Sequence, residues 1–178
     1  MWRTCRVLAN RRRLEVLGEL FKRPGQRVGE VSTSLKIPIA VASKSLRELS
    51  ARGLLAARRH SSEVRYFTEA DPLVSGAAEV LVELQKVFKN RQNPSDFVFH
   101  RSTAFTHPRR IAIIAAIASG CRWPGELRMR TGISRPAVMR HLSKLTARGF
   151  VFHDRTGYSL PQPDSSFDSL LLRLAKRT

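Results

Sequence analysis

The sequence predicts a mainly α fold with small β-hairpin wings, laid down twice in one chain. Three observations lead there. The stretch "KIPIAVASKSLRELSARGL" at 36–54 returns at 132–150 as "GISRPAVMRHLSKLTARGF". Residues 29–53 align with 125–149 without a gap at an offset of 96, and eight of the 25 pairs are identical. An offset this long marks a duplicated domain, since solenoid repeats run to roughly 20–50 residues. In each copy, finally, the longest helical pattern stops at a glycine and gives way to short extended runs around a polar turn.

The elements of the first copy follow in order. Residues 11–22 carry Leu14, Leu17, Leu20 and Phe21 at helical spacing, and "RPG" then stops that helix. A short helix through Val31 and Leu35 leads to a turn at 36–38. A longer helix is expected from about Ile39 to Arg52, with Gly53 as its C-terminal stop. "LLAARRHSSEVRYF" then reads as two short strands around "HSSE".

The second copy repeats the string. "RRIAIIAAIASG" is a helix ended by Gly120, Pro124 opens the short helix "GELRMRT", and Gly132 makes the turn. Ser134 is suited to cap the next helix, and Pro136 is tolerated in its first turn. Gly149 closes that helix, and "FVFHDRTGYSL" reads as a hairpin turning near Thr156 and Gly157. Three helices and a two-stranded ribbon, twice, describe two tandem winged helix-turn-helix domains. Residues 1–90 are assigned to the first domain and the helix after it, 91–106 to a linker, and 107–178 to the second domain with a C-terminal helix.

Composition sets the partner class. A 178-residue chain with 42% hydrophobic content can bury a core. Its 32 Lys and Arg against 14 Asp and Glu leave a net charge of +18, which calls for a polyanion. The excess is shared: 17 basic against 9 acidic residues in 1–89, and 15 against 5 in 90–178. Both halves are therefore expected to face that polyanion, with nucleic acid ahead of an anionic membrane surface. Cys5 and Cys121 are the two cysteines, too few for a disulfide framework and suited to a reducing cytosol. The start "MWRTCRVLANRRR" lacks a signal-peptide apolar core, and the longest apolar run, 111–118, is too short to span a bilayer. A cytoplasmic, nucleoid-associated protein with no membrane partner is expected.

"GELRMRTGISRPAVMRHLSKLTARGFV", preceded by "HPRRIAIIAAI", resembles the ArsR-like and MarR-like bacterial winged-helix transcription regulators. The first copy, "NRRRLEVLGEL…GEVSTSLKIPIAVASKSLRELSARGLL…VRYFTEAD", is similar, down to the Tyr in its second wing strand. The resemblance implies a double-stranded DNA-binding regulator, most often a repressor that occupies a promoter. It also raises metal sensing through thiolates, but "GEVSTSLKIP" and "GELRMRTGIS" contain no Cys, so no metal and no cofactor are expected.

Helical phase divides each long helix. In copy two Val138, Leu142 and Leu145 form the buried stripe, while Pro136, Arg140, Ser143 and Lys144 point outward with Arg135 and Met139 flanking and Ser134 at the start. That face suits a major groove, where Arg bonds a guanine edge and Ser or Lys reaches phosphates or bases. His141, at the edge of the stripe, is expected to pack or cap. In copy one Ala42, Leu46 and Leu49 are buried, leaving Ala40, Ser43, Lys44 and Arg47 outward. Ile39, Ala40 and Val41 stand where the resembled family has small polar residues, so this face contacts either thymine methyls or a protein. Arg58, Arg59 and Arg65 in the first wing and Arg155 in the second are expected on phosphates or in a minor groove. "NRRR" at 10–13 is either a phosphate grip or a solvated helix end.

Two apolar stripes flank the domains: Leu73, Ala77, Leu81, Leu84 and Phe88, and Phe167, Leu170, Leu171 and Leu174. The favoured arrangement is a monomeric pseudo-dimer joined through them, with an asymmetric DNA site; a homodimer through either stripe is the alternative. No P-loop, nucleophile elbow or H-E-x-x-H occurs, and the five Asp do not converge, so no enzyme is expected. An architectural or replication-initiation protein, or a protein-interaction module, remains as the competing function.

Overall fold

A computed structural model describes residues 1–177, with His60 described by its backbone alone. Among these residues the chain forms α1 (Trp2–Leu8), α2 (Arg11–Lys22), β1 (Gln26–Arg27), α3 (Val28–Leu35), α4 (Ile39–Ser50), β2 (Ala56–His60), β3 (Glu63–Phe67) and α5 (Ala77–Asn90). It continues through α6 (Pro94–Thr103), α7 (Pro108–Ala118), α8 (Pro124–Thr131), α9 (Arg135–Ala147), β4 (Phe152–Asp154), β5 (Gly157–Ser159) and α10 (Ser166–Lys176). The fold is mainly α with small antiparallel wings, as the sequence predicts.

The chain divides into two compact units, residues 7–99 and residues 1–6 with 100–178. The division differs from the one read in the sequence: the first six residues cluster with the later unit, and the earlier unit continues to Phe99 rather than ending at 90. The segment read as a linker contains α6, opened by Pro94. A ten-residue helix with weak amphipathicity leaves little periodic signal to find.

In the unit of 7–99, α2 is capped by Asn10, whose side chain accepts from the Arg13 amide at 3.1 Å. Leu14, Leu17 and Leu20 of α2, Val31 of α3 and Ala42, Leu46 and Leu49 of α4 are fully buried and form the core. β2 and β3 make the wing, in register at Ala57↔Tyr66 and Arg58↔Arg65, and β1 adds a third strand through Gln26↔Tyr66. β1 is two residues long and has no pattern of its own. Gly53 (φ +68) turns the chain out of α4. α5 lies against α2, where Gly18 admits the Phe88 ring and Phe21 meets it edge-to-face at 5.3 Å.

Leu73, read as the start of the first apolar stripe, lies before α5 and is 92% exposed. The Pro72 turn explains this: the Leu73 amide donates to Asp71 Oδ1 at 2.9 Å, and the helix begins four residues later. From Ala77 onward the stripe is real, with Ala77, Leu81 and Leu84 buried.

The unit of 100–177 repeats the motif. α7 starts at a His107 N-cap and presents Ile111, Ile113, Ile114 and Ile117 to the core. Leu127 of α8 and Val138, Leu142 and Leu145 of α9 pack with them. Phe150, just past Gly149 (φ +74), meets Phe105 edge-to-face at 4.6 Å. α10 packs on α7 through a face in which Phe167, Leu170 and Leu171 are buried and Leu174 is half-buried. Arg110 is buried and clamps the chain before α7, donating to the carbonyls of Ala104 and Thr103 and to Thr106 Oγ1. Ser134 occupies the N-cap position of α9 but makes no side-chain capping bond. Pro136 in the first turn removes one of the amides that lack a partner there.

Candidate DNA interface

Several of the identical positions, Glu30/Glu126, Ile37/Ile133, Leu46/Leu142 and Leu49/Leu145, belong to the scaffold. Glu30 Oε2 accepts from the Arg27 amide at 2.7 Å, and Glu126 Oε2 from the Arg122 and Trp123 amides at 2.6 and 3.2 Å. Each glutamate holds the start of the first helix of a helix-turn-helix. Ile37 and Ile133 are both buried in the turn that follows. Lys36 and Gly132 occupy equivalent left-handed positions, φ 51 and φ 68, so copy one holds with a lysine a turn that copy two gives to glycine.

On the scaffold of 100–177, α9 presents its outward face. Ser134, Arg135, Pro136, Met139, Arg140, Ser143 and Lys144 are all exposed, and Met139 is 43% exposed. No ion pair involves Arg135, Arg140 or Lys144 among the described residues. Arg155 stands exposed at the tip of the β4–β5 wing, where Asp154 Oδ1 accepts from the Thr156 amide at 2.7 Å and shapes the turn. The Thr156 hydroxyl, which donates to the same oxygen at 2.6 Å, and the Thr156 amide hold the Asp154 carboxyl below the usual carboxylate range. The sequence reading passed over Arg128 and Arg130 of α8 and Arg109 of α7, which are exposed in the same unit. The alternating arginines of "LRMR" are the signal in the sequence that points to them.

The four carboxylates of this unit are committed elsewhere. Glu126 and Asp154 serve the backbone as described, and Asp164 and Asp168 pair with Arg101 at 3.0 and 3.2 Å. The exposed cations of α8 and α9 therefore sum rather than cancel, the condition for a polyanion-binding surface.

In the unit of 7–99 the outward residues of α4 fall as expected: Ala40, Lys44 and Arg47 are exposed and Ser43 is half-buried. Beside them Ile39 is 61% and Val41 38% exposed. The wing is different. Arg58 pairs with Glu69 at 2.5 Å and lies over the Phe67 ring, and Arg65 donates to the Gly25 carbonyl at 2.9 Å and pairs with Glu63 at 3.5 Å. Arg59 is exposed. The arginines of "NRRR" are also engaged, Arg11 with Asp96, Arg12 with Glu15 and Arg13 with Glu48, each at 2.5 to 2.6 Å.

A groove of about 880 Å³ in this unit runs between α3 and the wing, lined by Arg23, Arg27, Glu30, Thr33, Ser34 and Arg65 among others. Its charges are matched internally: Arg27 bridges Glu30 and Glu63, and Arg23 pairs with Glu19 at 2.6 Å. Burial pushes the Glu19 carboxyl up, but hydrogen bonds from Ser34, Gln26 and Arg23 outweigh it and hold it below the ordinary value. The groove is thus a neutral network and does not add to the basic surface.

A buried stripe, an outward basic face and a β wing define the winged helix-turn-helix class. Residues 107–152 match the model of the family described as bacterial regulatory protein, arsR family, so this segment is similar to the winged helix-turn-helix domains of that family of DNA-binding regulators. The matched family is regulatory rather than catalytic. No curated protein and no solved structure gives a significant match. Among the described residues no helix is long and apolar enough to cross a membrane.

Proposed function

We propose that the chain is a cytoplasmic, non-catalytic transcriptional repressor that binds double-stranded DNA through two non-identical recognition helices, with α9 as the principal reader. The observation that carries this is the α9 face, on which Arg135, Arg140 and Lys144 are exposed and no carboxylate answers them. Arg140 and Arg135 are assigned to base edges, Ser143 and Lys144 to phosphates or bases, and Pro136 and Met139 to apolar contact with thymine methyls. Ser134 and Arg155 flank the groove on the phosphates. In the other copy Lys44, Arg47 and Ser43 are assigned to DNA with Ala40 against a thymine methyl, and Arg59 joins Arg58 and Arg65 at the wing. The two copies are assigned to one duplex as a pseudo-dimer. The site they select is asymmetric because their faces differ.

A second reading applies to α4 alone. The exposure of Ile39 and Val41 beside Ala40 favours a protein contact for that helix, which leaves α9 to hold the DNA. Selection from a random duplex pool at about 150 mM salt, with wild type beside the Arg140→Ala, Lys144→Ala double variant, tests the proposal. One enriched asymmetric motif, relaxed in the variant, is the expected result. Tight binding without enrichment replaces the regulator by an architectural protein, and absence of binding ends the DNA reading.

A further inference from the structure

The start of α7 and the middle of α9 meet at two imidazoles. His107 Nδ1 accepts from the Arg109 amide at 3.1 Å, so its proton sits on Nε2, which remains a donor. The His141 ring lies 4.9 Å from the His107 ring, and its buried Nδ1 has no hydrogen-bond partner. Burial, together with Arg109, Arg110 and Lys144, holds both imidazoles below their usual range, His141 at about 4. Both are therefore neutral at pH 7.

The charges acting on this pair are all positive. Arg110 is turned inward on the carbonyls of Thr103 and Ala104. Arg109 and Lys144 are exposed, and no ion pair involves either among the described residues. On α8, which also packs against α9, the charged groups are Glu126, committed to backbone amides, and the exposed Arg128 and Arg130. Like charges gathered without a carboxylate cost free energy that a bound anion removes.

We propose that Arg109, Lys144 and His107 Nε2, with His141 packed behind them, form a clamp for one backbone phosphate of the duplex, fixing the seating of α9 from outside the groove. Arg109 and Lys144 supply charge and His107 a neutral donor. Of the two roles open to Lys144 the clamp takes the phosphate, so it contributes affinity and register rather than sequence preference. The inference rests on the DNA-binding reading and assigns to it two residues, His107 and Arg109, that lie off the recognition helix.

The test is titration of the full chain with its selected duplex and a scrambled duplex, by fluorescence anisotropy over a salt series. Arg109→Ala, Arg109→Gln and His107→Asn are compared with wild type, the last because Asn still caps α7 while losing the Nε2 donor. Both Arg109 variants are expected to weaken binding about tenfold on the two duplexes alike and to lower the slope of log K against log salt by about 0.9, the value for one phosphate. His107→Asn is expected to weaken both about threefold with the slope unchanged, since a neutral donor releases no counterion. A methylphosphonate at the clamped position lowers wild-type affinity but not that of Arg109→Ala. An unchanged slope in both Arg109 variants, or a loss confined to the selected duplex, overturns the clamp. Failure of the wild type to bind any duplex is a separate result, seen before any variant is made, and it removes the DNA reading together with the clamp.

Discussion

Gly53 and Gly149 hold the same place in the two copies and similar left-handed conformations, φ +68 and φ +74, yet their surroundings differ. A Cβ on Gly53 would stand 2.7 Å from Val74 Cβ and 3.1 Å from Ala77 Cβ, both short, stiff groups. On Gly149 the nearest atom would be Arg101 Nη1 at 3.3 Å, the far end of a long side chain. Placing alanine in the left-handed region costs about 1–2 kcal/mol at either site. Only Gly53→Ala adds overpacking against a fixed neighbour, about 1–3 kcal/mol more. The expected losses are therefore about 2–5 kcal/mol for Gly53→Ala and about 1–2 kcal/mol for Gly149→Ala. Urea denaturation followed by far-UV circular dichroism measures both. Trp2 and Trp123 fall in the unit containing Gly149, so fluorescence follows that unit separately if the two unfold in separate steps. Equal losses at the two sites would refute the argument that the neighbours, rather than the backbone angle, set the difference.

His141 gives a pH prediction. Its folded-state value, about 4, lies below the ordinary imidazole value of 6.5, chiefly because of burial. Below pH 6.5 the unfolded chain takes up a proton that the folded chain refuses, so stability falls as pH drops from 6.5 to 4 and this contribution levels off below 4. In a chemical-denaturation series His141→Gln flattens that limb by less than about 1.4 kcal/mol per pH unit, the limit for one proton; a profile as steep as wild type would show that another group titrates. Leu142→Ala, which empties a fully packed position on α9, is expected to cost about 2–5 kcal/mol and to weaken DNA binding only through loss of folded protein. Glu126→Ala is expected to cost about 1 kcal/mol by freeing the amides at the start of α8; a circular dichroism melt indistinguishable from wild type would contradict its capping role.

Much of the architecture was legible because each copy uses strong local signals. Residues 11–22 carry a helical apolar period and a stop, and α2 occupies that span. Gly53, Gly120 and Gly149 mark turns that need positive φ. The buried trios of α4 and α9 follow from 3.6-residue periodicity, which is local and needs no knowledge of the partner surface.

What the sequence by itself determined is the repeat, the mainly helical class and which side of each long helix faces inward, since repetition and period are properties of the chain alone. The tertiary structure decided which cations are paired. Arg58 and Arg65, expected on DNA from the sequence, lie beside Glu69 and Glu63 in the fold, whereas Arg135, Arg140 and Lys144 meet no carboxylate among the described residues. It also brought His107 to His141 across 34 positions of chain and gave residues 1–6 to the later unit. Charge pairing depends on distance through space, which composition and spacing along the chain do not carry.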